Sequence, residues 1–221
     1  MMPPELLTPS IDLFGVSRRK VELGPGARHL GGFARPDERA LLAAIACVVS
    51  AAPFRHMTTP GGWPMSVAMT NCGSVGWVTD RTGYRYDQID PTTGKPWPEM
   101  PEVFADLAMR AADEAGFAGF VPDACLINRY KAGARMSLHQ DRNERDFGQP
   151  IVSISLGLPV IFLWGGDTRS VRPQRILLDH GDGLVWGGPA RKTYHGVHRL
   201  AAGHHPLTGE FRFNLTFRKA R

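Results

Sequence analysis

FRFNLTFR, residues 211–218, alternates along its whole length: Phe211, Phe213, Leu215 and Phe217 are apolar, and Arg212, Asn214, Thr216 and Arg218 are polar. Successive side chains of a strand point to opposite faces, so the four polar groups share one side. A solvent-facing strand would carry Lys and Glu there. Two guanidiniums framing an amide instead suit a pocket for carboxylates, which arginine grips through paired hydrogen bonds. The segment LINRY, residues 126–130, keeps the same period and offers Asn128 and Tyr130 to such a pocket.

Outward from this strand, ACLINRY (124–130), IVSISLG (151–157), PVIFLWGG (159–166) and RILLDHGDGLVWGG (175–188) are further short β runs joined by Gly-rich turns. They predict a barrel or sandwich. Upstream, Pro36 to Ala52 predicts a helix, with Pro in its first turn, Asp37 and Glu38 at its start, and Leu41, Leu42, Ile45 and Val49 on one face. Residues 53–101 are rich in Gly, Pro, Thr and aromatics, as in a lid of turns and short strands. A second helix, Pro101 to Ala115, stops at Gly116. Residues 1–35 carry the basic patch Arg18-Arg19-Lys20 and read as an extended arm or irregular strands.

The 221 residues are 43% hydrophobic and 21% charged, an ordinary globular composition for which one catalytic domain is the simplest account. A net charge of +5 and a pI of about 9.4 permit a polyanionic partner without requiring one. Cys47, Cys72 and Cys125 lack the paired spacing of a zinc or redox site and read as small buried hydrophobes. No secretory leader is visible, and no apolar run approaches the roughly 18 residues of a membrane span. The expected compartment is the cytoplasm, without membrane contact.

His139-Gln140-Asp141 carries the metal chemistry. On an extended segment positions i and i+2 face the same way, so His139 and Asp141 can meet one ion. A third ligand can come from a distant strand, with His195 of KTYHGVH the candidate and His198 its rival. Two imidazoles and one carboxylate leave positions open for a cosubstrate and O2, as a non-haem Fe(II) oxygenase needs. An HxD triplet alone arises often by chance, but a zinc hydrolase would show an HExxH helix or paired cysteines, and neither is present. His180, His204 and His205 sit in turn-like surroundings and are expected to be structural or exposed.

Together, NxY at 128–130, HxD at 139–141, His195 and RxNxTxR at 212–218 resemble the AlkB family of nucleic-acid dealkylases. The likeness extends to MTTPGGWPMSVAMTNCG (57–73), IDPTTGKPWPEMP (89–101), PDACLINRY (122–130), PIVSISLGLP (150–159) and HGDGLVWGG (180–188), and covers residue 53 to the C-terminus. It implies a mainly β chain with flanking helices (α+β): a double-stranded β-helix, or jelly roll, at 124–221, helices and a nucleotide-recognition lid at 36–116, and the arm at 1–35. It implies Fe(II) on His139, Asp141 and His195. Arg212 and Arg218 would then clasp the two carboxylates of 2-oxoglutarate, helped by Asn128, Tyr130 and Asn214.

The same resemblance implies oxidative dealkylation of N-alkylated bases such as 1-methyladenine and 3-methylcytosine, in DNA or RNA, with O2 as second cosubstrate. The products are an aldehyde, succinate and CO2. A base within a duplex cannot reach a buried metal, so the enzyme would take a single strand or a flipped nucleotide. Trp77 would stack on that base with His139; Tyr84, Met69 and Thr59 would line the lid, with Arg169 near the nucleotide. Core packing is the bland account of Trp77 and Tyr84, and Trp63, Trp97, Trp164 and Trp186 are read as structural. One departure stands out: where the bacterial relatives carry an acidic residue, two positions past the ligand Asp, this chain has Asn143. The protein is expected to act as a monomer. Same-fold oxygenases of proteins or small molecules share the metal and cosubstrate residues, and a non-catalytic nucleic-acid-binding jelly roll would not need them.

Overall fold

The alternating segment forms β13 (Arg212–Arg218), which lies between β6 (Ala124–Tyr130) and β8 (Ile151–Gly157) in the larger sheet of a computed structural model that describes residues 20–221. Its even positions are buried between two sheets, and its odd positions pack beneath helices. The strand is therefore enclosed on both faces, and its polar side is the interior of the fold.

The larger sheet runs β1 (Lys20–Gly24), β2 (Ala27–Leu30), β11 (Gly183–Trp186), β8, β13, β6, β3 (Ala68–Gly73). The smaller sheet runs β10 (Gln174–Leu178), β9 (Val160–Trp164), β12 (His195–Val197), β7 (Met136–His139). All pairings in both are antiparallel. The two sheets face each other across a core that includes Met69, Tyr130, Phe162, Trp164, Leu184 and Trp186. This is a double-stranded β-helix. A separate hairpin, β4 (Gly76–Asp80) with β5 (Gly83–Asp87), stands at its rim.

Two helices cover the outer face of the larger sheet. In α1 (Glu38–Ala51) the buried stripe is Leu41, Ile45 and Val48, with Leu42 and Val49 at its edge. A short 3-10 turn at Arg35–Asp37, containing Pro36, precedes it, which is why the α-helix starts two residues later than the proline suggests. In α2 (Glu102–Glu114) Phe104 packs edge-on against Phe217 of β13, and the helix ends before Gly116, whose φ of 91° supplies the left-handed stop.

The structure gives residues 20–30 a definite place and revises the reading of one cysteine. Residues 20–30 form the last two strands at one end of the larger sheet, β1 at its edge and β2 between β1 and β11, with which it pairs along Ala27–Leu30; residues 1–19, with Arg18 and Arg19, lie outside the described residues. Cys72 and Cys125 are buried, but Cys47 lies on the solvent side of α1 and is exposed. Among the described residues no helix is long and apolar enough to cross a membrane.

Histidine also serves the architecture. Gly157, at the end of β8, has φ of +94°, and a Cβ there would run into the Thr208 hydroxyl and the Phe211 carbonyl. Its N–H donates to His180 Nδ1 at 2.8 Å, so the His180 proton sits on Nε2 and goes to Glu38 at 2.9 Å. His180 therefore bolts α1 to the jelly roll, while His205 stacks on its ring.

Candidate active site

Register brings the two histidines together. β12 pairs with β7 so that His195 stands directly opposite His139, their rings 4.4 Å apart. Asp141 follows two residues after β7 ends, and the ligand atoms of all three lie within 4.8 Å of one another. His198, the rival, is exposed.

The tautomers follow from hydrogen bonding. His139 Nδ1 donates to the Ser137 carbonyl and His195 Nδ1 to the Thr193 carbonyl, both at 2.9 Å. A carbonyl can only accept, so each Nδ1 carries the proton and each Nε2 keeps its lone pair. Those lone pairs face Asp141: His139 Nε2 is 3.7 Å from Oδ1, and His195 Nε2 is 4.0 Å from Oδ2. The separations are too long for hydrogen bonds and suit three ligands around one cation. Phe162 and Trp186 wall His195 on its apolar side.

Charge on these groups is set by burial and by arginine. Burial pushes the Asp141 carboxyl up, but the adjacent Arg218 guanidinium outweighs it and holds Asp141 well below the usual carboxylate range. Arg218 donates from Nε and Nη2 to Asp141 Oδ2, at 2.9 and 2.7 Å. Burial lowers the Arg218 pKa, yet Asp141 more than restores it, so the guanidinium is firmly charged. Burial, with His139 alongside, pushes His195 down to about 4, leaving it a neutral ligand at physiological pH.

Asn128, Tyr130, Arg212 and Asn214 line the sheet opposite, in register as Arg212↔Tyr130 and Asn214↔Asn128. Arg212 is only 1% exposed, and its Nη2 donates to Ser155 Oγ at 2.9 Å. Its Nε and Nη1, together with Asn128 Oδ1, are buried without a protein partner. Burying unpaired polar groups is unfavourable, and a guanidinium most of all, so this cradle fits a carboxylate ligand. Ser153 and Ser155 complete it by bonding Asn214 and Arg212. Sequence reasoning misses both serines, although their i, i+2 spacing within the apolar run IVSISLG sets them on one face.

The lid residues group less evenly. Trp77 and Tyr84 stack across the β4–β5 hairpin, centroids 5.6 Å apart and planes 21° from parallel. Asn143 joins them to the metal loop, its Oδ1 accepting the Trp77 indole N–H at 3.1 Å. Met69 pairs in register with Asn128 and is wholly buried. Thr59 bonds within its own loop, to Trp63. Arg169 lies on the loop after β9 with its guanidinium over Tyr194, next to His195 in sequence. Trp63, read as structural, is 75% exposed.

The 2OG-Fe(II) oxygenase superfamily profile matches residues 26–218. The chain is 59% identical to the Salmonella typhimurium alpha-ketoglutarate-dependent dioxygenase AlkB over 198 residues, 90% of this chain and 92% of that one. The chain belongs to the AlkB family of 2-oxoglutarate- and Fe(II)-dependent dioxygenases. The Escherichia coli protein of the same name is 55% identical over 211 residues, covering 95% of this chain and 98% of its own. Among solved structures, that of OsALKBH1 superposes with a TM-score of 0.77 at 28% identity, covering 90% of this chain and all of the other. The cofactor of the AlkB family fits the residues present: two free imidazole lone pairs with one ionised carboxylate for Fe(II), and orphaned guanidinium donors for a dicarboxylic acid.

The His195 imidazole gives a pH signature in metal-free protein. Between its ordinary value of 6.5 and about 4 the unfolded chain binds a proton that the folded chain does not, so stability falls as pH drops through this window. The loss is on the order of 3 kcal/mol. Thermal unfolding of His195→Gln should show a correspondingly shallower decline than the wild type; equal slopes would mean that His195 is not buried as a neutral ring.

Proposed function

We propose that this dioxygenase removes alkyl groups from ring nitrogens of nucleic-acid bases, lesions of the 1-methyladenine and 3-methylcytosine type in DNA or RNA, acting as a monomer on a single strand or an extruded nucleotide. The observation that carries this reading is the stacked Trp77–Tyr84 pair tied through Asn143 to the loop bearing Asp141. An aromatic platform beside an oxidising centre suits a flat base, since stacking contributes roughly 1–3 kcal/mol per base and tolerates different bases. The basic net charge of +5 favours encounter with the polyanion.

In this reading His139, Asp141 and His195 hold Fe(II). Arg212 takes one carboxylate of 2-oxoglutarate and Arg218, from its place beside Asp141, the other, with Asn128, Tyr130 and Asn214 lining the cavity. When bound, Fe(II) would let O2 and 2-oxoglutarate supply the oxidation, one oxygen atom of O2 ending in succinate as CO2 leaves and the other hydroxylating the alkyl carbon. The resulting hemiaminal loses aldehyde and restores the base. Trp77 and Tyr84 orient the base, Met69 and Thr59 line its lid, and Arg169 meets the nucleotide. The aromatic wall around His195 keeps water from the reacting centre.

The purified protein with Fe(II), 2-oxoglutarate and a methylated oligonucleotide should release formaldehyde and succinate in equal amounts; succinate without formaldehyde from any nucleic-acid substrate would overturn the substrate assignment. Arg212→Gln should weaken 2-oxoglutarate binding roughly ten- to a hundredfold, because charge-assisted hydrogen bonds are lost; calorimetric affinity equal to wild type would contradict the cradle assignment. Asn143 puts a neutral amide where a carboxylate would favour cationic bases, so Asn143→Asp should raise preference for 1-methyladenine over a neutral lesion by about tenfold. The same ratio of kcat/KM values in both proteins would remove that idea.

A further inference from the structure

A cleft of about 240 Å³ opens on the outer face of the larger sheet, lined by His56, Ser66, Ala68, Arg129, Lys131 and Phe211. Alternation along β6 puts Arg129 on the side opposite Asn128 and Tyr130, so the cleft is separate from the cosubstrate cradle. The Arg129 guanidinium lies over two rings, 4.6 Å from the Phe54 centroid and 5.0 Å from that of Phe211. Rings engage the flat faces of a guanidinium and leave its N–H donors, which lie in its plane, aimed past them. Several other arginines are matched with acids, among them Arg55 with Asp90, Arg110 with Asp37 and Arg191 with Glu144. Among the described residues neither Arg129 nor Lys131 has an acidic partner. His56 borders the cleft with its ring fixed, Nδ1 donating to the Met65 carbonyl at 2.8 Å.

We propose that this cleft is a second nucleic-acid contact, in which Arg129 and Lys131 hold a backbone phosphate and the Phe211 ring supports the neighbouring sugar or base. The inference rests on the nucleic-acid reading above and extends it to the flank of the lesion. Unpaired cations beside an aromatic wall are the chemistry of sequence-independent strand binding: phosphate contacts give affinity and register, and rings tolerate any base. The route to the active site is short in sequence. His56 and Ser66 are the two roots of the loop that carries Thr59 and the exposed Trp63, so a strand leaving the lid over that loop arrives at the cleft.

The experiment compares two single-stranded substrates with one 1-methyladenine each, a trinucleotide and an oligonucleotide of about twenty residues, longer than the roughly 4–16 that one groove covers. Binding is followed by fluorescence anisotropy across a salt series, and turnover by formaldehyde release. Lys131→Glu, an exposed substitution, and Arg129→Gln should each weaken binding of the long strand several-fold. The slope of log affinity against log salt should fall by about 0.7 for each phosphate no longer neutralised. Trinucleotide turnover should stay at the wild-type value. Unchanged long-strand affinity and salt slope in Lys131→Glu would overturn the second contact while leaving the dealkylase reading intact. A wild type that demethylates neither substrate would overturn that reading, and this inference with it.

Discussion

The ion pair between Asp141 and Arg218 governs the arrangement of the site. Asp141 leaves the end of β7 in the smaller sheet, and Arg218 closes β13 in the larger. Their two hydrogen bonds therefore fasten one sheet to the other at the point where the metal ligands meet. A buried charge is costly alone, and removing one partner of such a pair typically costs about 3–5 kcal/mol. Here the pair also performs a chemical task, since it keeps the carboxylate ionised in a place where burial favours the neutral acid.

A second buried carboxylate extends this order to the lid. Glu144 Oε1 accepts the Tyr86 hydroxyl at 2.6 Å and Oε2 accepts Arg191 Nη2 at 3.0 Å. Arg191 also donates to the backbone carbonyls of Asp141 and Gln149. Burial keeps the Tyr86 phenol protonated, its pKa well above the ordinary value, so it remains a donor. Strand β5, the metal loop and the core thus share one satisfied polar network, the kind that selects a single arrangement. Asn143 adds a more exposed tie from the same loop to Trp77. The aromatic platform is therefore held relative to the metal ligands from below by Glu144 and from the side by Asn143.

Several of these features are legible in the sequence because they are local. The period of two in residues 211–218 places Arg212, Asn214, Thr216 and Arg218 together whatever the rest of the chain does, and the same rule sets His139 beside Asp141. Glu144 gives no such signal, because a single Glu in a polar loop looks solvated; its partners, Tyr86, 58 residues away, Arg191, 47 away, and Arg218, are all distant in the chain. Cys47 reads as buried because small apolar side chains usually are, but its helix turns it outward. Residues 20–30 look irregular because two short strands at the end of a sheet carry little pattern, and the pairing of β2 with β11 and of β1 with β2 is what defines them.

Covalent order thus settles the alternation that makes strands, the apolar stripes that make two helices, and the kinds of ligand available, all of which depend on short-range geometry. Folding of the whole chain is needed to settle that His195 rather than His198 faces His139, that Arg218 meets Asp141, and that Arg212 stays buried with free donors. Each of these depends on strand register between segments far apart in the chain. Register is chosen by the total burial of both faces of a sheet, a quantity no local stretch contains.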